Sequence, residues 1–153
     1  MSVAFRRESD EEHKEPRFEL PLPPGPNIVT AAGLKQAEGM VAHLEAEVAA
    51  ETDETALADK QRTLRYWRTR LATAELAPPP PEDEVAFGSR VTFRLNGQER
   101  TLDIVGDDEA DPTAGKIAFS APLARALTGA ASGDYADFGG KADAIEVVGV
   151  TAI

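Results

Sequence analysis

Three carboxylates gathered in one short polar bend, Glu51, Asp53 and Glu54, are the first residues in this 153-residue chain whose types and spacing could do chemistry. Carboxylates at such a tip can help hold a magnesium ion that already has ligands elsewhere, because Mg²⁺ takes one or two protein carboxylates and keeps several waters. The same bend can equally be a solvated turn in which Asp53 caps the next helix by accepting a backbone N–H. A second acidic run, Gly106-Asp107-Asp108-Glu109-Ala110-Asp111-Pro112, spells Asp-Glu-Ala-Asp. A helicase box would need a Gly-x-x-x-x-Gly-Lys-Ser/Thr phosphate loop beside it, and the chain has none. The third feature is basic. Arg62, Arg65 and Arg68, with Lys60 and Arg70 nearby, put cations on one helical face. That face could meet phosphates or acidic groups of a partner, or pair with Glu38, Glu45 and Glu47 as a solvated set of little energetic weight.

Other chemistries are excluded by composition. There is no cysteine, which removes disulfides, thiolate zinc sites and cysteine nucleophiles together. His13 and His43 are the only histidines, one in a charged tail and one in a helical pattern, so an imidazole-based metal site is not expected. The net charge of −11 argues against tight, sequence-independent binding to free duplex DNA, which depends on Lys and Arg neutralising phosphates. Most of the acidity falls in residues 78–153, where thirteen Asp and Glu face six Lys and Arg. No stretch has the length of uninterrupted apolar sequence that a membrane span needs, and the first residues lack a signal-peptide core, so the expected setting is cytoplasmic, with no membrane partner.

The elements that must position these residues follow from periodicity. Residues 1–26, charged and then proline-rich, read as a flexible tail, with too little apolar pattern to offset its ordering entropy. From 27 to 77 two apolar stripes recur at helical spacing. Leu34, Ala37, Val41, Leu44 and Val48 make the first, capped by Thr30 and running to about Ala50. Leu57, Leu64, Trp67, Leu71 and Ala74 make the second, ended at Leu76-Ala77 by four prolines. Trp67 is expected as a core anchor of this αα-hairpin. After the proline-rich linker, 78–84, the period changes to two over Phe87, Val91, Phe93 and Leu95. Asn96-Gly97 then predicts a type I′ hairpin turn, and a strand follows over about Gln98 to Val105. A short strand at Lys116–Phe119, a helical turn at Pro122–Leu127, and two strands around Gly139-Gly140, the second at Ala144–Val148, complete 85–153. The expected class is α+β: an N-terminal antiparallel α-hairpin, then a small antiparallel β domain with one short helix.

Three segments in order carry a resemblance: Val85-Ala86-Phe87-Gly88-Ser89-Arg90-Val91-Thr92-Phe93, Ile104-Val105-Gly106-Asp107-Asp108-Glu109-Ala110-Asp111, and Ile117-Ala118-Phe119-Ser120-Ala121-Pro122-Leu123-Ala124-Arg125-Ala126-Leu127-Thr128-Gly129. Together they closely resemble the C-terminal domain of bacterial transcript-cleavage factors of the GreA/GreB type. Upstream, Asn27-Ile28-Val29-Thr30-Ala31-Ala32-Gly33-Leu34 resembles the segment that starts that family's first helix. The resemblance implies an FKBP-like C-terminal domain that holds RNA polymerase at the rim of its secondary channel, and a coiled-coil finger that enters the channel. At the family's fingertip two acidic residues help coordinate the polymerase's second catalytic magnesium and promote hydrolysis of a backtracked transcript. On that reading the chain is no enzyme and has no cofactor of its own, only a share in the polymerase Mg²⁺ through Glu51, Asp53 and Glu54. It meets nucleic acid only through the elongation complex. The loop acids Asp107, Asp108, Glu109 and Asp111, with Ser120, Pro122 and Arg125 beside them, become the expected polymerase-facing surface.

Two departures bear on activity. The first helix, at 1.5 Å per residue, is roughly 30 Å long, several turns short of the family's usual finger. The family's tip motif, Asp-Leu followed by Glu-Asn-Ala-Glu-Tyr, is also missing. The short finger resembles that of the Rnk-type subgroup, described as regulators of nucleoside diphosphate kinase, which combine the same C-terminal domain with a short finger. A rival reading from the FKBP-like implication is a protein-binding module or peptidyl-prolyl isomerase. Its aromatic pocket would have to come from Phe87, Phe93, Phe119, Tyr135 and Phe138, most of which sit at core-phase positions.

Overall fold

The computed structural model describes residues 19–153. Its first half is the expected hairpin: α1 (Ala31–Ala50) and α2 (Glu54–Thr73), joined by a three-residue bend. Both helices start on side-chain caps. Gly33 N–H donates to Thr30 Oγ1 at 3.0 Å, and Ala56 N–H donates to the Asp53 carboxylate at 2.9 Å. The stripes meet as a shallow seam in which Ala37, Leu44 and Leu64 are buried, while Leu34, Val41, Val48, Leu57, Trp67 and Leu71 are half-covered. Trp67 stands edge-on to Tyr66 with ring centroids 5.4 Å apart.

Helix α2 ends at Thr73, short of the expected Ala77, and the chain turns extended at Ala74. Asn27 explains the stop. Its side-chain amide donates to the Arg70 carbonyl at 2.8 Å and to Thr73 Oγ1 at 3.1 Å, taking the acceptor that another helical turn would use. Pro78 further biases Ala77 away from helix. The freed residues form β2 (Glu75–Leu76), which pairs in parallel with β1 (Ile28–Val29). This two-stranded clasp ties the two ends of the hairpin together. The parallel pairing is possible because the whole hairpin serves as the crossover.

Beyond the prolines a five-stranded sheet runs in the order β5-β4-β3-β7-β6. Its strands are β3 (Ser89–Leu95), β4 (Gln98–Val105), β5 (Lys116–Ala118), β6 (Tyr135–Phe138) and β7 (Lys141–Ala152). Asn96 and Gly97 both have positive φ, 53° and 76°, as a type I′ turn requires. One pairing departs from the antiparallel expectation: β5 runs parallel to β4, reached through two short 3-10 turns at Asp107–Glu109 and Pro112–Ala114. Strand β7 is longer than the expected Ala144–Val148, and a bulge opposite Thr92/Phe93 leaves Val148 partly exposed. The core comprises Val85, Val91, Phe93, Leu102, Ile104, Ile145 and Val147, closed by Ala124 and Leu127 from α3 (Pro122–Leu127). Phe87 lies just ahead of β3 and packs edge-on to Phe119. No described helix is long and apolar enough to cross a membrane.

The expected tail divides at the limit of the described residues. Residues 1–18, with His13, lie outside them. Glu19 to Pro26 pack back along α2, where Glu19 takes the Arg65 guanidinium at 2.7 and 2.9 Å.

Candidate functional site

The acidic loop after β4 sits where the hairpin meets the sheet, and its carboxylates divide by direction. Asp108 and Glu109, expected on the partner-facing surface, turn toward the helices. Arg70 Nε donates to Asp108 at 2.6 Å, with 5% of the arginine side chain exposed and 15% of the aspartate's. The guanidinium also donates to Asn27 Oδ1 at 2.8 Å. Tyr66 donates its hydroxyl to the other Asp108 oxygen, and Gln36 donates to the Asp108 carbonyl at 3.2 Å. Glu109 accepts from the Thr30 hydroxyl, and from the N–H groups of Thr30 and Gly106, both at 3.2 Å. Gly33 lets this carboxylate approach: a Cβ there would overlap the Glu109 carboxylate and lie 2.8 Å from its Cγ. Among the described residues no buried side-chain N or O lacks a partner, so the joint is fully satisfied.

Burial first, and then the bond to Asp108, push the Tyr66 hydroxyl up to about 12. A raised folded-state value means that the bond's contribution is fully present below the ordinary tyrosine value near 10 and is lost as pH rises toward about 12. Tyr66→Phe is therefore expected to remove about 1 kcal/mol at neutral pH, measured by urea unfolding. It should also remove the tyrosinate step near pH 12 from an ultraviolet titration.

The remaining residues of the expected surface, Asp107, Ser120, Pro122, Arg125 and Asp111, are turned away from the helices or held within their own loop. Ser120 donates its hydroxyl to Asp107 at 2.7 Å, and Ser120, Pro122 and Arg125 are exposed. Asp111 caps the second 3-10 turn, accepting from the Thr113 hydroxyl at 2.7 Å and from its N–H at 3.2 Å.

At the other end of the hairpin the tip acids have structural partners. Glu51 accepts from Lys60 Nζ at 2.6 Å, from Thr52 N–H at 3.1 Å and from Asp53 N–H at 3.0 Å. The Lys60 bond is the main reason that the Glu51 carboxyl lies below its usual range. Asp53 is the α2 cap, and Glu54, exposed in the first turn, faces the positive end of the helix dipole. Among the described residues no group of three or more His, Asp or Glu is placed to hold a metal ion.

The basic face of α2 is largely paired. Arg62 bonds Asp59 at 2.5 Å, Arg65 bonds Glu19, and Arg68 reaches Glu45 across the hairpin at 3.0 Å. His43 is exposed and contacts Glu47 at 3.0 Å.

These observations place one loop against a helical hairpin, and the sequence comparisons agree on its origin. The family description "Transcription elongation factor, GreA/GreB, C-term" matches residues 80–153. Over more of the chain, transcription elongation factor GreA of Legionella pneumophila (strain Corby) is 32% identical across 124 residues, covering 80% of this chain and 78% of that protein. The chain belongs to the GreA/GreB family. Other GreA proteins match more closely over less length. That of Ralstonia nicotianae is 41% identical over 73 residues, 44% of this chain and 46% of that protein. That of Vibrio parahaemolyticus is 37% identical over 92 residues, 58% of this chain and 59% of that protein. The chain thus spans about half the length of these curated relatives. Among solved structures, the GreA/GreB factor from Nitrosomonas europaea is 24% identical and covers 84% of this chain and 99% of that one, with a TM-score of 0.40.

Within this GreA/GreB-family chain, sequence reasoning passes over Tyr66 and gives the other residues of the joint different roles: Asn27 only within the segment before the first helix, Thr30 as a cap, Arg70 beside the basic face and Glu109 on the partner-facing surface. Only Gly33 left a signal, since a glycine inside the first turn of a helix implies close approach of something else.

Proposed function

We propose that this GreA/GreB-family chain binds bacterial RNA polymerase through its β domain, lodges the hairpin at the entrance of the secondary channel, and regulates elongation without stimulating transcript cleavage. The observation that carries the last clause is the commitment of the tip acids: Glu51 accepts three hydrogen bonds from its own chain and Asp53 caps α2. A carboxylate already neutralised by Lys60 is a poor further ligand for a polymerase magnesium. Twenty-residue helices give the finger roughly 30 Å of reach, which favours the entrance over the catalytic centre. The polymerase-facing surface is Asp107, held by Ser120, with Pro122 and Arg125. Asp108 and Glu109 support it from behind by fixing the loop to the hairpin.

Two measurements test this reading. The purified protein should capture core polymerase, and Asp107→Ala or Pro122→Ala should weaken capture roughly tenfold, the effect of losing about 1–2 kcal/mol at an interface. Added to a backtracked elongation complex, it should change the rate of elongation and release no shortened transcript. Cleavage products above background would overturn the non-cleaving assignment, and failure to capture polymerase would overturn the whole.

A further inference from the structure

The segment from Glu19 to Pro26 has no part in the polymerase reading, yet it is laid along the basic face of α2. It is anchored at its C-terminal end by Asn27, whose side chain is buried against Arg70 and Thr73. Pro21, Pro23, Pro24 and Pro26 restrict the path between, so little chain entropy is lost in holding it there. At its far end the Glu19 carboxylate meets Arg65 through both Nε and a terminal nitrogen. This is the forked geometry with which a guanidinium also takes a phosphate. Between segment and helix lies a cleft of ≈350 Å³ lined by Glu19, Leu20 and Leu22 on one wall and Arg65, Tyr66, Arg68 and Thr69 on the other. The arginine holds the Glu19 carboxyl below its usual range, and the arginine is in turn raised. Both side chains are more than half exposed, 54% for Arg65 and 60% for Glu19, so the pair is weak and open to exchange.

We propose that residues 19–26 form an intramolecular strap in which Glu19 stands in for a phosphate, closing the Arg65–Arg68 face in the free protein and yielding it to a phosphodiester strand. Leu20 and Leu22, 38% and 49% exposed, rest on the helix without being buried by it, so release of the strap costs little apolar burial. The anchored Asn27 end keeps the displaced carboxylate close by, where it competes again when the strand leaves.

The test uses the full chain and a fluorescein-labelled oligouridylate at low salt, without polymerase, so its outcome is separable from that of the polymerase reading. Glu19→Gln should bind the oligonucleotide about twofold to fivefold more tightly than wild type, the range that loss of one exposed competing pair allows. Arg65→Gln should bind more weakly, and adding Glu19→Gln to it should bring no further gain. Glu82→Gln, which removes one carboxylate from the proline-rich linker, controls for net charge and should not match the Glu19→Gln gain. Raising the salt should compress all differences. Equal binding by wild type and Glu19→Gln, a Glu19→Gln gain that persists without Arg65 or is matched by Glu82→Gln, or no binding by any variant would each overturn the strap.

Discussion

Asp108→Ala is expected to lower the free energy of unfolding by about 3 kcal/mol, the cost of leaving a buried arginine without its carboxylate. Arg70 is 5% exposed at the side chain and, among the described residues, keeps only Asn27 as a side-chain acceptor once Asp108 is gone. Water cannot readily replace the lost oxygen there. Tyr66 loses its acceptor in the same step. Asp108→Asn, which retains one acceptor, should cost less than the alanine, and the paired change Arg70→Met with Asp108→Leu should recover much of the loss by removing both charges. The chain's one tryptophan, Trp67, lies in α2, so its fluorescence follows the hairpin while far-ultraviolet circular dichroism follows hairpin and sheet together. In wild type the two urea transitions should coincide, and in Asp108→Ala the fluorescence transition should come first. A loss below about 1 kcal/mol with coincident transitions would mean that Arg70 finds solvent and that the joint contributes little.

Gly33→Ala should destabilise by about 2 kcal/mol, against the usual sign for a helical glycine. Alanine ordinarily favours a helix by up to about 1 kcal/mol relative to glycine. At position 33, however, the new methyl group falls on the Glu109 side chain, 2.8 Å from its Cγ and closer still to the carboxylate. Glu109 cannot swing aside freely, because three donors from Thr30 and Gly106 hold it. The carboxylate must then leave the Thr30 cap or the helix must shift, and overpacking of this kind costs about 1–3 kcal/mol. Gly39 supplies the control within the same helix. Among the described residues nothing outside the helix's own backbone lies within 4 Å of a Cβ there, and Gly39→Ala should stabilise by about 0.5–1 kcal/mol. In a Glu109→Ala background Gly33→Ala should become neutral or stabilising, and a penalty that persists there would assign the effect to something other than this contact.

What was legible in the sequence is what local rules decide. Thr30 and Asp53 are caps because their side chains reach N–H groups three residues on, and the Asn96-Gly97 turn follows from two residues that tolerate positive φ. Sheet order and the parallel β5 were not legible, because the Asp111–Lys116 backbone bridge that leads into β5 is a contact no periodicity records. Nor was the end of α2, which Asn27 determines from 43 residues away in sequence. The site divides in the same manner. The acidic loop was visible as a run of carboxylates, but their directions depend on Arg70 and Thr30, which belong to a different part of the chain. Arg70 resembles one more member of a basic helix because Arg65 and Arg68 nearby are exposed, whereas its own place on the helix turns it into the joint.

The clasp of β1 against β2, with the Arg70–Asp108 bond beside it, secures the hairpin at its root on both arms. A beam clamped at one end wanders at its free end more the longer it is, and this one is stubby. Brevity therefore gives up reach for steadiness of aim: whatever the bend at Glu51–Asp53 touches, a short arm clamped at its root presents it with less wander than a longer one would.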